Sequence, residues 1–215
     1  MPDRKKQARV GQILKAAPVV PVMVIDEVKQ AVPLAKALVT GGLPVLEITL
    51  RTATAMDSIR AIMAEVNGAI VGAGTVMTPA QLEMVAKAGC AFAVSPGSSP
   101  NLLDAAAEVE MPLLPGGVTA TEVMSLLERG YTFQKFFPAE PAGGVPYLSS
   151  LSQPIPQVKF CPTGGITPAL APTYLKLANV ITLGGSWMAP KALVSAGDWA
   201  GIEKLAREAA ALKGA

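Results

Sequence analysis

Short apolar runs rich in Val, Ile and Leu alternate along this chain with longer stretches of helical period, which is the pattern of βα units around a parallel sheet. Eight runs occur, at 19–25, 45–50, 69–73, 91–95, 112–114, 132–137, 158–161 and 180–183. Helix starts are marked by Thr54, Thr78 with Pro79, Thr119, Thr167 with Pro168, and Asp198. These are residue types favoured at the N-cap and in the first turn. Helix ends are marked by Gly41 and Gly42, Gly68, Gly89 and Gly130. Eight units suit a closed barrel better than an open doubly wound sheet. The expectation is an α/β protein, a single (β/α)8 TIM barrel filling residues 1–215 with short loops, and a helical extension at 1–17.

Composition narrows the chemistry. With 51% hydrophobic and 16% charged residues the chain reads as globular, and no run approaches the roughly 20 apolar residues of a spanning helix. The basic segment holding Arg4, Lys5, Lys6, Arg9 and Lys15 lacks the apolar core of a signal peptide and reads as a surface helix. A net charge of +2, few aromatics and no basic stripe elsewhere give no case for nucleic acid. Cys90 and Cys161 sit in apolar surroundings without paired spacing, as reduced thiols of a cytoplasmic protein do. The chain has no histidine, which excludes His-ligated zinc, Ser-His-Asp hydrolysis and His general-base mechanisms. Proton transfer falls to carboxylates, Lys, Tyr or water, and no membrane partner is expected.

Function in such a barrel collects at the C-terminal ends of the strands. In the run at 45–51, strand alternation puts Leu46, Ile48 and Leu50 on one face and Val45, Glu47, Thr49 and Arg51 on the other. With the apolar face against helices, a carboxylate, a hydroxyl and a guanidinium point into the barrel and its mouth. A solvent-facing edge strand with a structural Glu-Arg pair fits that run alone equally well. The same alternation sets Lys135 between Phe133 and Phe137. A lysine in apolar surroundings loses hydration of its ammonium form, which favours the nucleophilic amine. The plainer alternatives are a lysine that snorkels to the mouth or one that pairs with Glu47.

Two glycine-rich segments follow the last two strands: Thr163, Gly164 and Gly165, then Gly184, Gly185 and Ser186. In barrels of this class backbone N–H groups there commonly bind phosphate, because glycine lets the backbone approach the oxygens. Each Gly-Gly alone could be a tight turn. Gly72 to Thr75, Ser95-Pro96-Gly97 and Pro115-Gly116-Gly117 read as further loops of the same mouth. The Thr75 hydroxyl could join Arg51 in holding a carboxylate.

Taken in order, VLEITLRT from Val45, VGAGTV from Val71, Ser95-Pro96-Gly97, KFFPAE from Lys135, FCPTGGI from Phe160 and GGSW from Gly184 resemble the 2-keto-3-deoxy-6-phosphogluconate (KDPG) aldolases and 4-hydroxy-2-oxoglutarate (KHG) aldolases. These are class I aldolases, the former belonging to the Entner-Doudoroff pathway. The resemblance runs from about Val10 to the C-terminus. It implies that Lys135 forms the Schiff base, that Glu47 is the general acid and base, and that Arg51 and Thr75 hold the pyruvyl carboxylate. It also implies that Pro96, Phe137, Thr163, Gly164, Gly165, Gly184, Gly185 and Ser186 contact the substrate or its phosphate. A homotrimer and a small phosphorylated 2-keto acid substrate come with it, and neither a metal nor a cofactor. The Pro115-Gly116-Gly117-Val118 loop departs from the family pattern, having a second glycine where an aliphatic residue is expected.

Three rival readings stand beside this one. The first is an aldolase for a related acid, 4-hydroxy-2-oxoglutarate or 2-keto-3-deoxy-6-phosphogalactonate, with the same Lys and Glu. The second is a phosphate-binding isomerase or epimerase, which has no need of a buried lysine. The third is an engineered barrel serving as an assembly scaffold, which gains nothing from an interior Glu and Lys.

Overall fold

The computed structural model describes residues 4–212, so the first three positions of the expected N-terminal extension lie outside the described residues. An opening helix α1 (Arg4–Leu14) leads into eight strands, each followed by at least one helix. In chain order these are β1 (Val19–Met23), α2 (Val28–Thr40), β2 (Val45–Thr49), α3 (Ala55–Glu65), β3 (Ile70–Gly74), α4 (Pro79–Lys87), β4 (Phe92–Val94) and α5 (Pro100–Glu108). The second half contains β5 (Leu113–Leu114), α6 (Ala120–Glu128), β6 (Phe133–Phe136), α7 (Gly144–Ser150), β7 (Lys159–Pro162), α8 (Ala171–Leu175), β8 (Leu183–Gly185), α9 (Lys191–Ala196) and α10 (Trp199–Ala210).

Six strands form one parallel sheet in the order β5-β4-β3-β2-β1-β8, and β6 pairs with β7. Short bridges join the two pieces. At one seam the Lys135 N–H donates to Pro115 O at 2.8 Å and the Gly117 N–H to Lys135 O at 2.9 Å. At the other, Thr163 pairs with Gly184 and Phe160 with Val180. The ring is thereby closed, as the TIM barrel expectation requires.

The alternation expected for β2 is present. Leu46 and Ile48 join a large outer core with Leu34, Leu38, Ile59 and Ile62 of the surrounding helices. Val45 belongs instead to a second cluster inside the barrel, with Val20, Phe92, Val94, Leu114 and Cys161. Small residues make room for large ones there: a side chain at Gly72 would meet the Phe92 ring at 2.3 Å.

Three details differ from expectation. Helix α1 is more than a surface helix, since Val10, Ile13 and Leu14 enter the interior cluster and close the N-terminal end of the barrel. Its Gln7 side chain accepts from the Thr132 and Phe133 N–H groups at 3.0 and 3.3 Å, and Gly11 lies against the Phe133 ring. The last strand starts three residues later than expected. Residues 180–181 meet Phe160 of β7, with the Ile181 N–H donating to Phe160 O at 3.0 Å, before the chain crosses to pair Leu183, Gly184 and Gly185 with β1. Among the helix starts, Thr78 and Thr119 form full capping boxes with Gln81 and Glu122, and Asp198 caps α10. Thr54, however, gives its hydroxyl to Ile25 O at 2.6 Å, and α8 begins at Ala171 rather than beside Thr167. Helix α3 ends at Glu65 with Val66 as its extended C-cap, before Gly68.

Candidate active site

Strands β2 and β6 each bring one charged side chain to the interior. Lys135 Nζ stands 3.2 Å from Glu47 Oε1, with the two side chains 6% and 4% exposed. Parallel pairing puts Lys135 level with Cys161 of β7 and Glu47 level with Gly72 of β3. Lys135 Nζ also lies 5.3 Å from the centroid of the Phe137 ring, which attracts its charged form. Two expectations for Lys135 thus merge in part: of the two aromatic neighbours Phe137 is beside the amine, while the Phe133 ring packs on Gly11 of α1, and the partner carboxylate is present. A separation of 3.2 Å is within reach for proton exchange between an amine and a carboxylate. A pair this deep is costly to half-remove, because the survivor becomes an uncompensated buried charge.

Gly74 is the space that lets Glu47 sit there. A Cβ at that position would come within 2.2 Å of Glu47 Oε1. Level with Lys135 on β7 is the Cys161 thiol, pushed up to about 12 chiefly by burial, with Lys135 and Thr163 lowering it and Glu47 raising it. Cys90, remote from the pair, is pushed up to about 11 by burial. Both thiols are therefore neutral, as expected of structural cysteines.

Above Phe137 and Thr163 opens a cavity of about 170 Å³ at the C-terminal end of the barrel. It gathers eight of the expected residues: Arg51, Phe137, Thr163, Gly164, Gly165, Gly184, Gly185 and Ser186. Val22 and Ile166 complete its wall. Arg51 is exposed at the rim, its Nε donating to Thr49 Oγ1 at 3.1 Å while Thr49 donates onward to Met23 O at 2.8 Å. Among the described residues Arg51 has no carboxylate partner, so its guanidinium can take one from a ligand. Gly184 packs on Thr163, where a Cβ would meet Oγ1 at 2.1 Å, and both Gly164 and Gly165 have positive φ, 104° and 81°.

Thr75 and Pro96 stand apart from this wall, at the ends of β3 and β4. Thr75 is the one described residue other than glycine in the left-handed region, at φ 59°, a conformation that costs a β-branched residue free energy and that clusters at functional sites. The Pro96 carbonyl packs under Gly116, where a Cβ would approach it to 2.4 Å. Val22, which lines the cavity, was not singled out from the sequence, and Thr49, read there as an inward hydroxyl, was given no role. Val22 is hidden in a strand that is apolar on both faces.

A nucleophilic amine beside a proton-transferring carboxylate, under a mouth with a free guanidinium and glycine loops, is a set suited to imine chemistry on an anionic carbonyl compound. The sequence model of the KDPG and KHG aldolases matches residues 10–205. This chain belongs to that family. It is 54% identical over 197 residues to the KHG/KDPG aldolase of Escherichia coli K12, covering 92% of each chain. In structure this aldolase is similar to the KDPG aldolase of Zymomonas mobilis ZM4 determined with 3-phosphoglycerate, with a TM-score of 0.92, 47% identity and coverage of 97% of this chain and 98% of that one. It is also similar to the Legionella pneumophila KDPG aldolase in which pyruvate was captured as a covalent carbinolamine, with a TM-score of 0.91, 44% identity and coverage of 94% and 98%. The chain is accordingly a lyase of the aldolase type.

Proposed function

We propose that this aldolase cleaves 2-keto-3-deoxy-6-phosphogluconate to pyruvate and glyceraldehyde 3-phosphate through a Schiff base on Lys135. The observation that carries the reading is the buried Lys135–Glu47 pair at 3.2 Å beneath a mouth walled by Arg51 and two glycine loops. Glu47 takes a proton from the ammonium, and the free Lys135 amine adds to the C2 carbonyl to give a carbinolamine. Glu47 returns that proton to the carbinolamine hydroxyl, which leaves as water, so that the nitrogen is held as a protonated imine and Glu47 is again a carboxylate. That iminium accepts the electron pair of the C3–C4 bond as the bond breaks, while the C4 hydroxyl proton passes to Glu47, directly or through water. The aldehyde leaves, the enamine takes a proton at C3, and water releases pyruvate from the imine.

Arg51, with Thr75, holds the carboxylate in this reading, and Pro96 and Phe137 pack the reacting carbons. Thr163, Gly164, Gly165, Gly184, Gly185 and Ser186 receive the phosphate. The 3-phosphoglycerate named with the Zymomonas relative supports a site for a small phosphorylated acid. The pyruvate carbinolamine of the Legionella relative supports the covalent route. A second substrate, 4-hydroxy-2-oxoglutarate, is favoured by the double name of the Escherichia coli relative. Comparing kcat/KM for the two acids separates them, and equal values would remove the phosphate assignment.

The homotrimer implied by the resemblance and the cytoplasmic site of action read from the unpaired cysteines belong to the same proposal. No described helix is long and apolar enough to cross a membrane. Light scattering of the purified protein tests the trimer.

A further inference from the structure

Glu140 closes the KFFPAE motif yet has no part in the chemistry above. It lies in the segment after β6 that braces the loop after β7. The Ala139 N–H donates to Thr163 O at 2.8 Å and the Glu140 N–H to Gly164 O at 3.0 Å. A trans peptide points its N–H opposite to its C=O. Since both carbonyls are turned toward residues 139–140, the Gly164 and Gly165 N–H groups of the same two peptides are turned the other way, toward the cavity that both glycines line. Among the described residues neither N–H has an acceptor. Successive N–H groups aimed into one concavity make an anion cradle.

The brace is itself held at two points. The Tyr174 hydroxyl donates to the Glu140 carboxylate, and the Gly143 N–H donates to the Glu140 carbonyl at 3.1 Å. Glu140 Cβ in turn lies 2.7 Å from where a Cβ of Gly165 would be, so the loop rests directly on this side chain. Tyr174 is wholly buried on α8, the helix into which the loop runs. Burial and the Glu140 carboxylate raise its hydroxyl well above the ordinary tyrosine value, which keeps it a donor.

We propose that Glu140 and Tyr174 are a positioning pair that holds the Gly164–Gly165 peptides with their N–H groups toward the substrate phosphate, and so set the preference for phosphorylated over unphosphorylated 2-keto acids. This rests on the assignment of that loop to the phosphate. Tyr174→Phe removes the hydrogen bond with little change of volume. It is expected to raise KM for the phosphorylated acid roughly tenfold, the order of one hydrogen bond to a charged group, with kcat retained. Competitive inhibition by inorganic phosphate should weaken in parallel, while kcat and KM for 4-hydroxy-2-oxoglutarate stay as in the parent. Glu140→Ala should repeat this split, and Glu140→Gln, which keeps an acceptor for the tyrosine, should largely restore the parent KM. An equal rise of KM for both acids, or a loss of thermal stability with no change in KM, overturns the proposal. A parent enzyme that neither prefers the phosphorylated acid nor is inhibited by phosphate overturns the phosphate assignment itself, and the proposal with it.

Discussion

A single methyl group added at Gly74 tests how the barrel sets its catalytic carboxylate. Gly74 has an ordinary φ, so alanine there meets no backbone strain and the effect is one of space alone. The new Cβ would lie 2.2 Å from Glu47 Oε1, 2.6 Å from Cγ and 2.8 Å from Cδ. Non-bonded atoms settle at about 3.5 Å, so the carboxylate must retreat by roughly 1 Å. The Lys135–Glu47 distance of 3.2 Å is already at the long end of a hydrogen bond and does not survive such a shift unchanged. A misplacement of about 1 Å in a reacting group lowers the rate about 100-fold, and overpacking costs about 1–3 kcal/mol of stability. Steady-state release of pyruvate from the phosphorylated acid should therefore fall about 100-fold in kcat for Gly74→Ala, with the chain still folded. Adding Glu47→Asp, one methylene shorter, should return the lost stability without returning the rate. Parent-like kcat and melting temperature in Gly74→Ala would refute the reasoning, because the carboxylate could then not be where the structure puts it.

Other perturbations separate structure from chemistry. Lys135→Ala leaves Glu47 buried without its partner and should lose about 3–5 kcal/mol in urea unfolding, whereas Lys135→Ala with Glu47→Gln should recover much of that stability and none of the activity. Thr75→Gly relieves the left-handed conformation, worth about 1–2 kcal/mol before the extra backbone entropy of glycine is subtracted. It should raise the melting temperature slightly while KM for pyruvate in the condensation direction rises. Cys90 and Cys161, raised to about 11 and about 12 from an ordinary 9.0, should resist iodoacetamide at pH 8 in the native protein and both react after denaturation. A thiol whose folded value is raised contributes stability below the unfolded value that is lost as pH climbs toward the folded one. Urea midpoints should accordingly fall between about pH 9 and 11, and fall less in Cys161→Ala.

How much of this was legible in the sequence depends on where polar residues interrupt apolar strands. In β2 the alternation of Leu46, Ile48 and Leu50 with Glu47, Thr49 and Arg51 states which face is inward, and the structure follows it. In β6 the same parity places Lys135 beside Phe137, and only the fold could show that Glu47 meets it from across the barrel. The Gly184–Gly185 pair was expected to follow the last strand and instead lies within it. An apolar-run criterion excludes glycine, while here the barrel needs Gly184 to clear Thr163. Helix α1 carries its basic residues on an exposed face, which hides that Val10, Ile13 and Leu14 plug the barrel floor. Nothing local marks this, because the partners of those three side chains come from β1, β2, β4, β5 and β7. The Glu140–Tyr174 contact is invisible for the same reason, joining residues 34 positions apart.

The central claim is that Lys135 carries the substrate covalently. Incubating the protein with pyruvate and borohydride, then mapping the modified peptide by mass spectrometry, tests it directly. One reduced pyruvyl group on Lys135 is predicted, absent without pyruvate, with activity lost in proportion to labelling. Active enzyme that gains no adduct, or an adduct on another lysine such as Lys159 or Lys191, would contradict the account.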